Sequence, residues 1–202
     1  SFDSPTLRLC FLLGACGWWV IAAVLVIAAE AGRDVLPTRK LPLVGLGWVV
    51  LIPSYLALVW LHAMDLAALL FLFALVWAID SAAYFAGRRW GQRRLAPNVS
   101  PGKTWLGALV GIGAAIAVAL GAVTVWSHDL VRSAPLAVLL ACLTAVSAIS
   151  GDLFESLMKR RHGLKDSGSL LPGHGGALDR IDSVLAAAPV YATFVFFQAR
   201  VP

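Results

Sequence analysis

Six apolar stretches alternate with short polar segments along the chain, at residues 9–29, 41–61, 66–85, 105–126, 135–149 and 184–197. Each of the first four is about 20 residues long, the length an α-helix needs to cross the hydrocarbon core of a bilayer. The last two are shorter, but each abuts a polar segment into which its helix can extend. The pattern predicts an all-α, polytopic integral membrane protein with about six transmembrane helices. Small residues at Gly107, Gly111, Gly113, Ala114, Ala115 and Ala117 predict close packing of the fourth helix in lipid.

The polar segments sort by charge. Arg33, Arg39 and Lys40 lie between the first and second runs. Arg88, Arg89, Arg93, Arg94 and Lys103 lie between the third and fourth, and Lys159, Arg160, Arg161, Lys165 and Arg180 between the fifth and sixth. If every run crosses once, these loops share one side and hold 13 of the 16 lysines and arginines, leaving Arg8, Arg132 and Arg200 on the other. The positive-inside rule makes the basic side cytoplasmic, and the expected location is a bacterial cytoplasmic (inner) membrane.

Composition supports that reading. Of 202 residues, 60% are hydrophobic and 13% charged, about half the charge of an ordinary soluble domain. The net charge of +5 would suggest a nucleic-acid partner in another context. Here only Trp90 stands between basic residues, short of the aromatic series a stacking platform requires, so no nucleic acid is expected. The basic face suits anionic lipid headgroups instead. Cys10, Cys16 and Cys142 all sit in apolar runs without a CxxC pair, which suggests neither zinc nor a disulfide framework. The first residue is Ser1 and no secretory signal pattern follows it, so the chain reads as trimmed or partial.

Candidate chemistry concentrates in residues 150–182. The segment opens "SGDLFESLMKRRHGLKDSG". If the fifth helix continues into it, Asp152, Ser156 and Lys159 fall at i, i+4 and i+7 on one face, with Glu155 beside them. A carboxylate, a hydroxyl and an ammonium on one face suit a metal-and-phosphate site. The plainer reading is a solvated helix end with an ordinary Glu155–Lys159 pair. Next comes "LLPGHGGALDRIDS", residues 170–183. Asp179 and Asp182 are spaced i, i+3, so both carboxylates point the same way on a helix and can hold Mg2+. Acids in a first turn also complement the helix dipole, but that does not account for Gly173, His174, Gly175 and Gly176 just before them. Glycines there let the backbone approach a ligand and let successive N–H groups cradle phosphate. His174 suits donation to phosphate, although a lone histidine is more often structural.

A second constellation surrounds Asp80, near the end of the third run. An acid at that depth is costly and points to function; the plainer reading is a buried hydrogen bond to a neighbouring helix. The loop after it carries five basic residues and the segment "SPGKT" at 100–104, which lacks the spacing of a Walker A phosphate loop. Each arginine in this loop also serves as a topology signal.

The segment "SLMKRRHGLKDSGSLLPGHGGALDRIDS", residues 156–183, closely resembles the signature of the phosphatidate cytidylyltransferase, or CDP-diacylglycerol synthase, family. Ser156, Lys159, Arg160, Lys165, Asp166, Pro172, His174, Gly175, Gly176, Asp179, Arg180 and Asp182 match it in order and spacing. Ala177 departs from it, where the family usually has a larger aliphatic residue. Asp80, Ser81, Tyr84, Gly87, Gly91, Leu95, Ala96, Pro97, Ser100, Pro101, Lys103, Thr104 and Trp105 follow the family's second conserved region. Leu106 stands where many members have an acid, so it is assigned no role.

The resemblance covers residues 80 to the C-terminus. It implies an enzyme of phospholipid biosynthesis that condenses CTP with phosphatidic acid to give CDP-diacylglycerol and pyrophosphate. It also implies Mg2+, a second cation such as K+, a homodimer and further N-terminal spans in whole-length members. On this basis residues 1–79 are N-terminal transmembrane helices. Residues 80–202 form the catalytic membrane domain, with cytoplasmic loops 87–104 and 150–182. Carried over by position, Asp152, Ser156, Asp179 and Asp182 build or flank the metal centre. Ser156, Lys159, Asp179 and Asp182 form the catalytic set. Lys159, Arg160, Lys165, Asp166, His174, Gly175, Gly176 and Arg180, with Asp80, Arg88 and Lys103, bind substrate. The attacking phosphate is already ionised near neutral pH, so His174 is expected to position rather than to accept a proton.

Two other classes compete. An ion-coupled transporter using Asp80 and Asp182 accounts for the acids but not for the His-Gly-Gly element or the lysine-rich loop. A CDP-alcohol phosphotransferase needs a helical run of four spaced aspartates opened by Asp-Gly-x-x-Ala-Arg, and the sequence has none.

Overall fold

The computed structural model describes residues 4–36, 40–126, 130–164, 167, 168 and 176–198. In chain order these form α1 (Pro5–Glu30), α2 (Lys40–Met64), α3 (Leu66–Trp90), β1 (Arg94–Ala96), β2 (Ser100–Thr104), α4 (Trp105–Trp126), α5 (Leu130–Arg161) and α6 (Leu178–Gln198). Each of the six helices is long and apolar enough to cross a membrane, so the chain is an integral membrane protein with one helix for each apolar run. The two short runs extend as expected, α5 onward through the polar stripe to Arg161 and α6 back to Leu178. Only residues 162–177 separate those two helices. The loop expected at 87–104 holds the end of α3 and then an antiparallel hairpin, β1 against β2.

Local chemistry sets the helix ends. Ser4 caps α1, its hydroxyl accepting from the Leu7 N–H at 3.1 Å, and Pro5 follows where a missing N–H costs nothing. The α5 helix stops at Gly163, whose positive φ of 66° only glycine adopts freely. There the Leu164 N–H donates to the Lys159 carbonyl at 2.9 Å and the Gly163 N–H to that of Arg160 at 3.1 Å. This pattern closes a helix and satisfies its last carbonyls, and it fixes Lys159 in the final turn. Between α2 and α3 stands Asp65, whose carboxylate accepts from the Ala67 N–H at 2.9 Å and caps α3.

Outward faces carry large exposed apolar side chains, among them Val20, Ile27, Trp48, Tyr55, Trp77 and Val125. These are the surfaces lipid covers. Inside, Leu12, Leu72, Leu75, Ile79, Ala145 and Val184 belong to one core cluster, and Trp19, Phe154, Leu157 and Leu185 to a second. The expected boundary at 79/80 falls within α3, and the first cluster draws residues from both sides of it. The expected close packing of α4 occurs at two glycines. A Cβ on Gly107 would lie 2.7 Å from the Ala83 carbonyl oxygen and one on Gly111 3.0 Å from that of Ile79, whereas Gly113 meets nothing within 4 Å.

Contacts between the connections place all three basic loops at one end of the bundle. The Glu30 carboxylate at the end of α1 accepts from the N–H groups of Asn98 at 3.0 Å and Val99 at 3.1 Å, and the Asn98 amide donates back to the Glu30 carbonyl. Arg161 at the end of α5 pairs with Asp34 in the α1–α2 connection at 2.6 Å. Lys103 in β2 pairs with Asp152 on α5. The alternation of charge along the sequence thus corresponds to a physical end of the molecule, and the polar site lies there.

Candidate active site

The site is built on the seam between antiparallel α5 and α6. Asp152, Ser156 and Lys159 share the α5 stripe that helical spacing predicts, and this stripe faces Asp182 and Asp179 on α6. Close approach depends on Gly151, where a Cβ would stand 2.6 Å from the Asp182 carbonyl oxygen. The Ser156 hydroxyl lies 3.5 Å from an Asp152 oxygen, at the weak limit of a hydrogen bond.

Although Asp179 and Asp182 are one turn apart, they have different surroundings. Asp179 is held by many donors. The Lys159 ammonium donates at 2.6 Å, the Gly176 N–H at 2.7 Å, the Ser167 hydroxyl at 2.9 Å and the Ser167 N–H at 3.0 Å. The carboxylate thereby ties the start of α6 to the α5–α6 connection. Gly176 is required there, because a Cβ would run into the Ser167 hydroxyl and lie 2.8 Å from the Gly168 nitrogen. Lys159 also pairs with Glu155 one turn back, and the Glu155 side chain is only 8% exposed.

Asp182 instead accepts from the Ser183 N–H at 2.6 Å and lies in the field of Asp152, Glu155 and Lys103. The Ser183 hydroxyl donates to Asp80 at 3.3 Å, and Asp80 in turn feels Lys103 and Asp152. Lys103 thus pairs with Asp152 and lies in the field of Asp80 and Asp182, carboxylates on two further helices. Beside them a cavity of about 110 Å³ opens between α1, α2, α5 and α6. Its walls are apolar and include Trp19, Leu46, Val50 and Phe154, with Glu155 and Asp182 among the residues along it.

Among the described residues no three His, Cys, Asp or Glu side chains form a ready-made metal cage. Mg2+ does not require one, since one or two carboxylates with water and substrate phosphates complete its shell. Asp152 and Asp182 offer such an oxygen-only pair, and the negative charge in excess of Lys103 fits a divalent cation. The oxygens of Asp179 are engaged by the donors named above.

Other expected site residues are placed as follows. Arg88 is exposed in the last turn of α3, donating to the Tyr84 hydroxyl at 2.6 Å. Arg160 is exposed at the end of α5, and Arg180 is exposed on the first turn of α6. Lys165, Asp166, His174 and Gly175 lie outside the described residues. The structure adds Ser167, Ser183 and Glu30, and it buries Glu155, which the sequence places beside the α5 stripe. Ser183 had a signal in the sequence, as the residue directly after the second aspartate of the "DRIDS" element. Ser167 and Glu30 had none, because their partners are distant in the chain.

Comparison with known proteins places this geometry in a family. The chain matches the cytidylyltransferase family over residues 4–198. It is 39% identical to a Haemophilus influenzae protein named phosphatidate cytidylyltransferase, over 92% of this chain and 68% of that protein. A Pseudomonas aeruginosa protein of the same name is 43% identical, over 96% of this chain and 72% of that protein. A Brucella suis protein, again of that name, is 48% identical over 66% of this chain. The membrane helices, the paired carboxylates and ammonium groups on the α5–α6 seam and this match over nearly the whole chain lead to one statement: the chain belongs to the cytidylyltransferase family of enzymes.

Proposed function

We propose that the protein transfers the cytidylyl group of CTP to phosphatidate, giving CDP-diacylglycerol and pyrophosphate. The observation that carries this is the α5–α6 seam, where carboxylates and ammonium groups meet at the loop end of a membrane bundle beside an apolar cavity. The names of the relatives support the choice of substrates.

In the reaction a phosphate oxygen of phosphatidate attacks the α-phosphorus of CTP. One P–O bond forms, the bond from the α-phosphorus to the oxygen bridging the β-phosphate breaks, and pyrophosphate leaves with the electron pair. Both reactants are anions, so positioning and charge neutralisation carry the rate. Lys103 and Lys159 supply fixed positive charge at the seam, and Arg160, Lys165 and Arg180 add to it around the triphosphate. Asp152 and Asp182 would hold Mg2+, with Ser156 and Asp179 as further oxygen donors nearby on the seam. When bound, the ion would offset charge developing on the phosphoryl oxygens, and a second cation such as K+ would balance the remaining carboxylates. No strong base is needed, because the attacking phosphate is already ionised; His174 with Gly175 and Gly176 positions the nucleotide. The apolar cavity walls suit the part of phosphatidate next to its phosphate.

The basic end faces the cytoplasm across a bacterial inner membrane, and the protein works as a homodimer. Ion-coupled transport through Asp80 and Asp182 gains no observation of its own. The test uses purified protein stripped with EDTA, then supplied with phosphatidate, CTP and graded Mg2+. Lipid-soluble cytidine product that appears only with Mg2+ and phosphatidate supports the proposal. Ion flux in proteoliposomes without product would favour the transporter.

A further inference from the structure

Lys159 stands between two carboxylates that are not equivalent. Asp179 meets its ammonium from α6 at 2.6 Å, and Glu155 from the preceding turn of α5. Asp179 has other donors in Ser167 and Gly176, so it stays hydrogen-bonded if Lys159 departs. Glu155 has no such reserve. The residue is 7% exposed, neither of its carboxylate oxygens has a hydrogen-bond partner, and its ion pair is with Lys159, among the described residues. A buried carboxylate stripped of its cation is strongly unfavourable. Losing Lys159 therefore costs Glu155 more than it costs Asp179.

The setting makes this more than an ordinary helical pair. Surface pairs contribute little because water screens them, but Glu155 is buried and lines the cavity beside Asp182. Glu four residues before Lys is also the favourable order on a helix.

We infer that Glu155 is the positioning residue of Lys159, a pivot that keeps its ammonium on the α5 side while Asp179 gives up its place to a phosphate of CTP. Lys159 then exchanges one anionic partner for another and never becomes a free, mobile cation. The exchange leaves that Asp179 oxygen with the Ser167 N–H, at 3.3 Å, as its donor. This inference rests on CTP being the nucleotide substrate, and it assigns to Glu155 no contact with the reacting atoms.

The test is a double-mutant cycle on CTP binding, measured by titration calorimetry without phosphatidate so that no turnover occurs. Wild type, Glu155→Gln, Lys159→Gln and the double variant are compared. Glu155→Gln is expected to weaken CTP binding about tenfold, and the double variant to bind no more weakly than Lys159→Gln alone. In turnover, Glu155→Gln should raise KM for CTP while leaving KM for phosphatidate unchanged. Binding by Glu155→Gln within about twofold of wild type, or losses that multiply in the double variant, would overturn the inference. So would a fall in kcat with no change in KM for CTP. If Glu155→Gln does not fold, Glu155→Asp replaces it; its smaller loss must likewise vanish in the Lys159→Gln background. Wild-type formation of CDP-lipid is read separately, so failure of the proposed reaction and failure of this pivot are distinguishable.

Discussion

Gly151 on α5 and Asp182 on α6 meet backbone to backbone. A Cβ at residue 151 would lie 2.6 Å from the Asp182 carbonyl oxygen and 2.7 Å from the Ala186 Cβ. This contact brings Asp152, the next residue on α5, to where its carboxylate acts on that of Asp182. Gly151→Ala must push the helices apart. The expected result is a loss of about 10²-fold in product formation, measured as CDP-lipid per minute, in a variant that still elutes as folded protein. A wild-type rate would show that the seam tolerates the added spacing.

Lys103 supplies the positive charge among Asp80, Asp152 and Asp182, and it ties the hairpin to α5. Removing it makes the cluster more negative. Lys103→Gln should therefore bind Mg2+ more tightly while turning over more slowly, because a fixed charge facing the phosphates is gone. Half-saturating Mg2+ is expected to fall about threefold or more, with a drop of about tenfold or more in kcat. A Mg2+ titration of the rate reads both. A rise in half-saturating Mg2+ would contradict the charge assignment.

Gly176 donates to Asp179 and leaves no room for a side chain against Ser167 and Gly168. Gly176→Ala is expected to detach the connection from the first turn of α6 and to weaken CTP binding by about tenfold. Thermal stability should change little, because the deep apolar cores are untouched. Calorimetric titration with CTP and a melting curve separate the two effects.

Pro189 removes the N–H that would bond the Leu185 carbonyl in α6. Ser54 on α2, fully buried, shares its hydroxyl proton between that carbonyl at 2.5 Å and the Val50 carbonyl of its own helix at 2.7 Å. Ser54→Ala should destabilise the fold by about 0.6–2 kcal/mol, the range for interhelical bonds in membranes. In a Pro189→Ala background the N–H returns, and the cost of Ser54→Ala should shrink. A double-mutant cycle of unfolding in detergent checks this.

The membrane architecture was legible because a bilayer imposes length and apolarity on every span, and the α5 stripe because helical spacing alone puts Asp152, Ser156 and Lys159 on one face. The hairpin at 94–104 was not, since strands of three and five residues that carry Arg, Pro and Gly show no alternation. Nor was the division of labour between Asp179 and Asp182. Their i, i+3 spacing sets them on the same side of α6, but Lys159 and Ser167 claim the first while Asp152, Lys103 and Ser183 surround the second. Glu155 looked like half of a surface pair, because its burial depends on α6 and the cavity, which helical periodicity does not report.

The most direct test of the central claim follows both ends of the nucleotide at once. Purified protein with phosphatidate and Mg2+ receives CTP labelled either at the α- or at the γ-phosphate. Cytidylyl transfer predicts that the α-label enters the chloroform-soluble lipid while an equal amount of γ-label is released as pyrophosphate, and that Asp182→Asn abolishes both. α-Label that remains in the aqueous phase, or γ-label that appears in lipid, would contradict it.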